Sequence, residues 1–567
     1  MDTAKKILRI YSRYKIYIFL LIVGIPILSQ LNIWSQTVLG RVVDSIAEDS
    51  IWLRAAGIYA VAAFAHFLME QGYSIVEQQL SFHVIYNLRS AIAKKVLRTK
   101  SEELYLFSSD DVMQMWNNDV GEIQSVSVNS IFHFLILVCS AALALVELYK
   151  ISLYFPLIAL ATNILAIFPV KMLGRKNKQR SQSLRESQIT MNEKFYRILN
   201  GIRLVKSYGK EKREVDEFEK FNNHFVDDKL GSMLSRRIYK SVITALNSIA
   251  PTIILLIANF EIRDGRMTIG DIVLATSLLA TISKPFTEGG NFIINIKTIG
   301  FKFDHLFDLL EKEEEDSSGK ALETDRPYEL GFDNVSYTVN GHSILENISL
   351  SIHSGEKVAI VGESGSGKTT LNNLILRLYA PTGGTLLLNG TDINAFDLRS
   401  YREGIHYSQS NTYISNATIM QNLALLGADE NSCIQLAKEI HFHQEILAMT
   451  DGYNTVVDAD GSNISGGQKR KIAIIRALTQ RRNLYIFDEV TRGIDEPSAI
   501  PIMNYLLDNI ASTAIFTMHN FFAIERMDKI IVMRAGHIVA EGKHEELYES
   551  CDYYRELFDN RRRGDDE

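Results

Sequence analysis

The chain has little of what several common functions require. Only three cysteines, Cys139, Cys433 and Cys551, occur in 567 residues. They stand far apart and in no metal-ligand spacing, which excludes a disulfide framework and a cysteine-based zinc site and fits a reducing interior. There is no basic excess, because the formal net charge is −7. A mildly acidic balance gives no support to nucleic-acid binding. A cleavable secretory signal is not expected, since the first apolar stretch is too long and lacks a small-residue cleavage site.

Charge is also missing locally, which excludes a wholly water-soluble chain. Residues 16–40 form a run of 25 without a charge, where about 20 cross a hydrocarbon core as a helix. Ile123–Val146, Ile151–Val170 and Ser241–Phe260 are uncharged as well. Ala55–Met69 and Ile272–Ser283 are shorter, the first followed by Glu70 and Glu77, the second by Lys284 and Glu288. Six spans are therefore expected in an all-α domain over residues 1–310. The connections Gln79–Glu122 and Lys171–Lys240 are long, polar and helical in pattern. Lys5, Lys6, Arg9, Arg13 and Lys15 precede the first span, and Lys171, Arg175, Lys176, Lys178 and Arg180 follow the fourth. Positive residues favour the cytoplasmic side, which puts both termini and both long connections on the cytoplasmic face of a cell membrane. Polar groups within spans are costly in lipid and face a cavity or another helix. His66 with Glu70, and Lys284 with Glu288, lie one helical turn apart; Gln30, Asn32, Gln36, His133 and Asn163 are further such groups. The sequence leaves open whether these line a substrate path or join helices.

A charged, turn-rich stretch, "EKEEEDSSGKALETDRP" over 311–327, reads as a linker. Residues 328–567 then alternate strand-like and helix-like segments, as an α/β domain does. The apolar run "KVAIV" leads into "GESGSGKTT", Gly362, Glu363, Ser364, Gly365, Ser366, Gly367, Lys368, Thr369 and Thr370, and then into a helical pattern. This matches a phosphate-binding loop, whose amides form a nest around phosphate oxygens at the positive end of the next helix. Lys368 is placed to neutralise the β and γ phosphates of ATP, and Thr369 to hold Mg²⁺ through its hydroxyl. Downstream, "NLYIFDEV" is an apolar strand ending in Asp488 and Glu489. Asp488 suits a carboxylate for the magnesium, and Glu489 a base for the attacking water.

At "ISGGQKRKIAIIRAL", Ile464–Leu478, the chain resembles the signature segment of ATP-binding cassette proteins. Together with six amino-terminal spans, this is similar along essentially the whole chain to exporter-type half-transporters of the type IV exporter fold. "GIRLVKSYGKEK" at 201–212 and "GRMTIGDIV" at 265–273 also resemble parts of those membrane domains. The resemblance implies a homodimer or heterodimer with two ATP molecules between facing cassettes. Each would touch one subunit's phosphate loop and the other subunit's Ser465, Gly466, Gly467 and Gln468. It further implies that Gln409 senses Mg²⁺ and the membrane domain, that His519 contacts the γ-phosphate, and that Asp495 crosses the dimer interface. Coupling helices would lie at 102–110 and 207–214. The family's adenine-stacking aromatic is replaced here by Val339, and Tyr337, two residues earlier on the same strand face, is the expected substitute. Ala459 stands where a glutamate is common, with Asp458 or Asp460 as replacements, and "TRGI" precedes Asp495 where "TSAL" is usual.

The expectation is an ATP-driven exporter half-subunit with a hydrolysis-competent site, its substrate an amphipathic drug-like compound, peptide or lipid. A lipid or lipid-linked oligosaccharide flippase, a peptide exporter and an ATP-gated regulator that moves nothing are the alternatives. Homodimer or heterodimer is left open.

Overall fold

The computed structural model describes residues 11–47, 52–263, 266–322, 327–409, 412–458 and 461–564. It divides into two compact bodies, residues 1–97 with 108–311, and residues 98–107 with 312–567. The segment 98–107, assigned above to the membrane domain, therefore packs with the cassette.

The first body is helical. Among the described residues, Lys15–Ala47, Trp52–Arg98, Ser109–Ile151 and Ile269–Glu311 are long and apolar enough to cross a membrane. The spans expected at 151–170 and 241–260 fall on the helix Tyr154–Asn200 and on the pair Glu211–Asn247 and Ile249–Arg263. Several side chains there lie outside the described residues, as do those of the basic cluster 171–180 and of Lys5, Lys6 and Arg9. The fifth span is broken where the sequence pattern showed one run. Pro251 has no N–H and its ring crowds the carbonyl four residues back, so one helix stops at Asn247 and the next begins at Ile249. The third span is also irregular, with π-helical turns at Met115–Asp119 and Ser125–Ser130. Such turns re-aim side chains and recur at functional sites.

The first and sixth long helices of this body meet without intervening side chains. A Cβ on Gly40 would lie 2.9 Å from the Gly270 carbonyl oxygen, and one on Gly270 would strike the Gly40 oxygen and the Asp44 carboxylate. Small residues allow this approach in lipid, where packing rather than hydrophobicity drives association. Asp44 completes the joint by accepting from the Gly270 N–H at 2.6 Å and the Thr268 hydroxyl at 2.9 Å. That ties down the head of Ile269–Glu311.

The second body holds two sheets. β1 (Leu330–Val339), β2 (His342–Ile352), β4 (Gly383–Leu388) and β5 (Thr391–Asp392) form an antiparallel sheet in the order β2-β1-β4-β5. The larger sheet runs β10-β9-β3-β8-β7-β6, from β3 (Lys357–Gly362), β6 (Ile405–Ser408), β7 (Leu484–Asp488), β8 (Thr513–Thr517), β9 (Lys529–Arg534) and β10 (His537–Gly542). All its pairings are parallel except the β9–β10 edge. Strand periodicity divides its residues between two cores. Ala359, Val361, Tyr485, Phe487, Ala514 and Phe516 enter one, and Val358, Ile360, Leu484, Ile486 and Ile515 the other. A sheet buried on both faces explains the unbroken apolar runs read in the sequence. Its parallel strands carry their functional groups at the carboxyl ends, where ligands bind in open α/β sheets.

Candidate functional site

β3 is buried throughout and ends at Gly362, where the phosphate loop begins. Gly365 and Gly367 have φ of 82° and 102°, a region that only glycine enters freely. Gly367 is doubly constrained, since a Cβ there would sit 2.6 Å from Leu345 Cδ2. Ser366, Gly367 and Lys368 are buried, whereas Glu363, Ser364, Gly365 and Thr369 are exposed and Thr370 half-buried. Lys368 Nζ donates to the Gly362 carbonyl at 2.9 Å, the Glu363 carbonyl at 2.7 Å and Ser366 Oγ at 3.3 Å. The loop thus curls around the ammonium, and the helix Lys368–Ile375 starts from it.

β7 and β8 deliver the acidic end. Asp488 is buried and accepts from the Thr517 hydroxyl and, at 3.4 Å, from Tyr407 OH. Burial, and then the Asp488 carboxylate, push the Tyr407 phenol up, which keeps it a donor. Glu489 follows with φ of 51°, a strained value for a residue with a Cβ. Its N–H is held by the Thr517 carbonyl at 3.0 Å. One carboxylate oxygen faces His519 Nε2 at 3.5 Å and the other accepts from Arg492 at 2.7 Å. These residues line a cavity of about 210 Å³. Gln409 is exposed, and its carbonyl accepts from the buried Arg470 at 2.8 Å. Desolvation pulls the Arg470 guanidinium down from its usual range, and Glu489 and Asp488 lie within its field. The structure therefore joins Asp488, Glu489, His519 and the Gln409 backbone in one region.

Sequence reasoning missed four members of this region. Tyr407 and Thr517 gave no signal, because single polar residues in strands are common. Arg470 was hidden in the basic run "QKRK", which reads as a solvated helix face, yet Arg470 and Lys471 are both buried. Arg492 was visible only as the departure "TRGI" and had no assigned role.

Ser465 caps the helix Gly466–Leu478 and forms a reciprocal capping box with Gln468, the two bonds measuring 2.9 and 3.2 Å. Gly466 is exposed, with nothing within 4 Å of where its Cβ would be. Gly467 approaches the Gly493 carbonyl, which brings the signature beside the stretch that carries Asp495. Asp495 caps Glu496–Asn509 through Ser498. Asp458 accepts from Ser462 at 3.2 Å, while Ala459 and Asp460 lie outside the described residues. Tyr337 does not fit the role expected of it. It is 5% exposed, its ring stacks on Tyr379 at 5.2 Å, and its hydroxyl donates to Glu102 at 3.0 Å. Both the ring face and the hydroxyl are already engaged, so a base has no platform there. Val339, by contrast, is exposed. Glu102 also accepts from the Ala380 N–H at 3.1 Å.

The helical body contains a cavity of about 730 Å³ whose wall includes His66, Glu70, Tyr73, Glu77, His133 and Lys284. Of the polar groups read from the sequence, Asn32 lines it too, whereas Gln36 bonds Thr281 and Asn163 bonds the Ala159 carbonyl. Glu288 pairs with His133 at 3.2 Å rather than with Lys284. Gln124 and Asn129, flanking and closing the second π-helical turn, join Ser81 in a hydrogen-bonded cluster on its wall.

Two family models match this architecture, the ABC transporter transmembrane region over residues 15–286 and the ABC transporter domain over residues 345–492. A Bacillus subtilis protein, YgaD, whose name assigns it provisionally to multidrug export, is 27% identical over 98% of this chain and 99% of its own. A Lactococcus lactis lactococcin transport/processing ATP-binding protein is 25% identical over 97% of this chain and 78% of its own. A solved bacterial Atm1-family ABC exporter with ATP bound superposes with a TM-score of 0.77 at 22% identity, covering 95% of this chain and 97% of that one. The helical body and the cassette are those of one exporter half, ATP hydrolysis is coupled to transport, and the chain belongs to the ATP-binding cassette exporter half-transporters.

Proposed function

We propose that two copies of this chain export an amphipathic substrate across a cell membrane, with cassettes and termini on the cytoplasmic side. ATP would be bound between the phosphate loop of one copy and Ser465, Gly466, Gly467 and Gln468 of the other. The observation that carries this reading is the convergence of Asp488, Glu489 and His519 at the ends of β7 and β8, together with the uncovered head of the signature helix. Glu489 orients and deprotonates water, His519 stands beside the same carboxylate for the γ-phosphate, and Asp495 faces the partner.

The described residues contain no cluster of three or more histidine, cysteine or acidic side chains that could cage a metal ion. That fits Mg²⁺, which binds through one or two oxygen ligands plus substrate phosphates. The Thr369 hydroxyl, the Asp488 carboxylate and the Gln409 amide are oxygen donors of the right kind, and the ion would neutralise phosphate charge there. The large mixed polar and apolar cavity of the helical body supports an amphipathic substrate.

The shared-site reading is tested with two separately tagged populations, one carrying Ser364→Cys and the other Ser465→Cys, in a background without native cysteines. ATP should promote a disulfide that joins the two differently tagged chains through these cysteines. Intact ATPase activity without any such cross-link would overturn it.

A further inference from the structure

We infer that the cavity in the helical body selects a monocationic amphiphile of drug size. This rests on the export reading and names its substrate class. The argument begins with charge. Glu70 and Glu77 project from the same helix face, two turns apart, into the cavity. Neither side chain has an ion-pair or hydrogen-bond partner among the described residues, and the same holds for the Lys284 ammonium. Glu288 is paired with His133, which also lies within electrostatic range of Glu77. With His133 neutral, three carboxylates stand against one ammonium; with His133 protonated, three stand against two cations. His66 carries charge only when protonated, and the first helix contributes the uncharged Leu28 and Asn32. With the carboxylates ionised and at most one of the two histidines protonated, the described surroundings lack at least one positive charge. Unmatched carboxylates at membrane depth are costly and are retained where a mobile partner satisfies them.

A second observation points to a ligand. Tyr73 sits between the two glutamates on that face and is 7% exposed, and its buried hydroxyl has no hydrogen-bond partner among the described residues. The ring is wedged against the first helix, because a Cβ on Gly24 would lie 2.9 Å from it. A buried polar atom without a partner costs free energy unless something else supplies one. Its oxygen and ring face are both suited to a cation. Phe82, Ile85, Ile136 and Leu137 give the wall apolar stretches beside its polar groups, which suits the body of an amphiphile. A volume of about 730 Å³ lies within the roughly 300–1,000 Å³ of small-molecule sites and is too small for a folded peptide.

Tetraphenylphosphonium and tetraphenylborate have the same size and shape and opposite charge, so together they isolate the charge of the site. Equilibrium binding of each to the full-length protein in lipid nanodiscs, with empty nanodiscs subtracted, reads the preference directly. The cation should bind at least tenfold more tightly than the anion. Glu70→Gln with Glu77→Gln should weaken cation binding at least tenfold. Lys284→Gln should tighten it severalfold, a gain that misfolding cannot produce. Equal binding of the two ions, or indifference to both sets of substitutions, overturns the inference. ATP hydrolysis by the same samples separates the two readings. Stimulation by the borate alone would retain export and discard the cation, whereas hydrolysis that responds to no compound at all would discard both.

Discussion

The cassette and the cavity of the helical body treat charge in opposite ways. In the cassette nearly every functional group is already held by its own chain. Lys368 lies among carbonyls, Asp488 is held by Thr517 and Tyr407, and Glu489 stands between Arg492 and His519. In the cavity Glu70, Glu77 and Lys284 face a shared space without partners among the described residues. The difference teaches where each specificity resides. A machine that uses one nucleotide can preorganise its groups for it, so that little reorganisation accompanies the reaction. A site that accepts a cargo leaves its charge to be completed by that cargo.

The largest expected effect lies on the preorganised side. Glu489→Gln should lower steady-state ATP hydrolysis by about 10²–10⁴-fold, the usual worth of a general base, while nucleotide binding persists. A loss under tenfold would show that the carboxylate is not the base. Next is the acid sensitivity of the cassette. Burial, with the Arg482 charge adding to it, pulls His406 down to about 4 from the ordinary 6.5. The folded state therefore prefers the neutral ring, and the unfolded chain takes up the proton first as pH falls below 6.5. Between pH 6.5 and 4 this single group should remove about 3 kcal/mol of stability. Thermal unfolding in His406→Phe should fall less steeply over that window, and an unchanged slope would sink the assignment. In the helical body, Gly270→Ala should cost about 1–3 kcal/mol through overpacking against Gly40 and Asp44, read as a lower melting temperature in detergent. The smallest effect concerns Tyr337. Tyr337→Phe removes one hydrogen bond to Glu102, worth about 1.5–3 kcal/mol when the acceptor is charged and less when the pair is partly wet. It should leave the ATP KM within twofold. Tyr337→Leu, which removes the ring as well, should also leave the ATP KM within twofold, and a large rise there would restore the tyrosine as the adenine platform.

Much of the cassette was legible because its chemistry is local. Gly362–Thr369 and Asp488–Glu489 are contiguous, and strand periodicity placed them at the carboxyl ends of buried strands. The partners that hold them were not legible, since Thr517 and Arg470 reach Asp488 and Gln409 through the fold, and Arg492, only three residues after Glu489, carried no signal of its own. Tyr337 was misjudged for the same reason. Period two placed it on the correct strand face, but Glu102, more than two hundred residues earlier in the chain, decides what that face meets. The membrane helices were legible as uncharged runs, while the break before Pro251 and the π-helical turns were not read, because hydropathy averages over single residues. The cavity could not be derived from His66 and Glu70 alone, since its wall is assembled from four helices.

The decapeptide Arg98–Phe107 belongs to the cassette body although it is encoded between two membrane helices. Its Glu102 bonds Tyr337 and Ala380, its Lys100 pairs with Glu313, and Lys312 pairs with Glu103. A chimera that trades engines between two pumps by splicing at residue 312 would thus leave part of the donor's engine behind. A clean transplant must carry this inserted segment along, and mismatched pairs at Glu102 and Lys100 would be the first joints to fail.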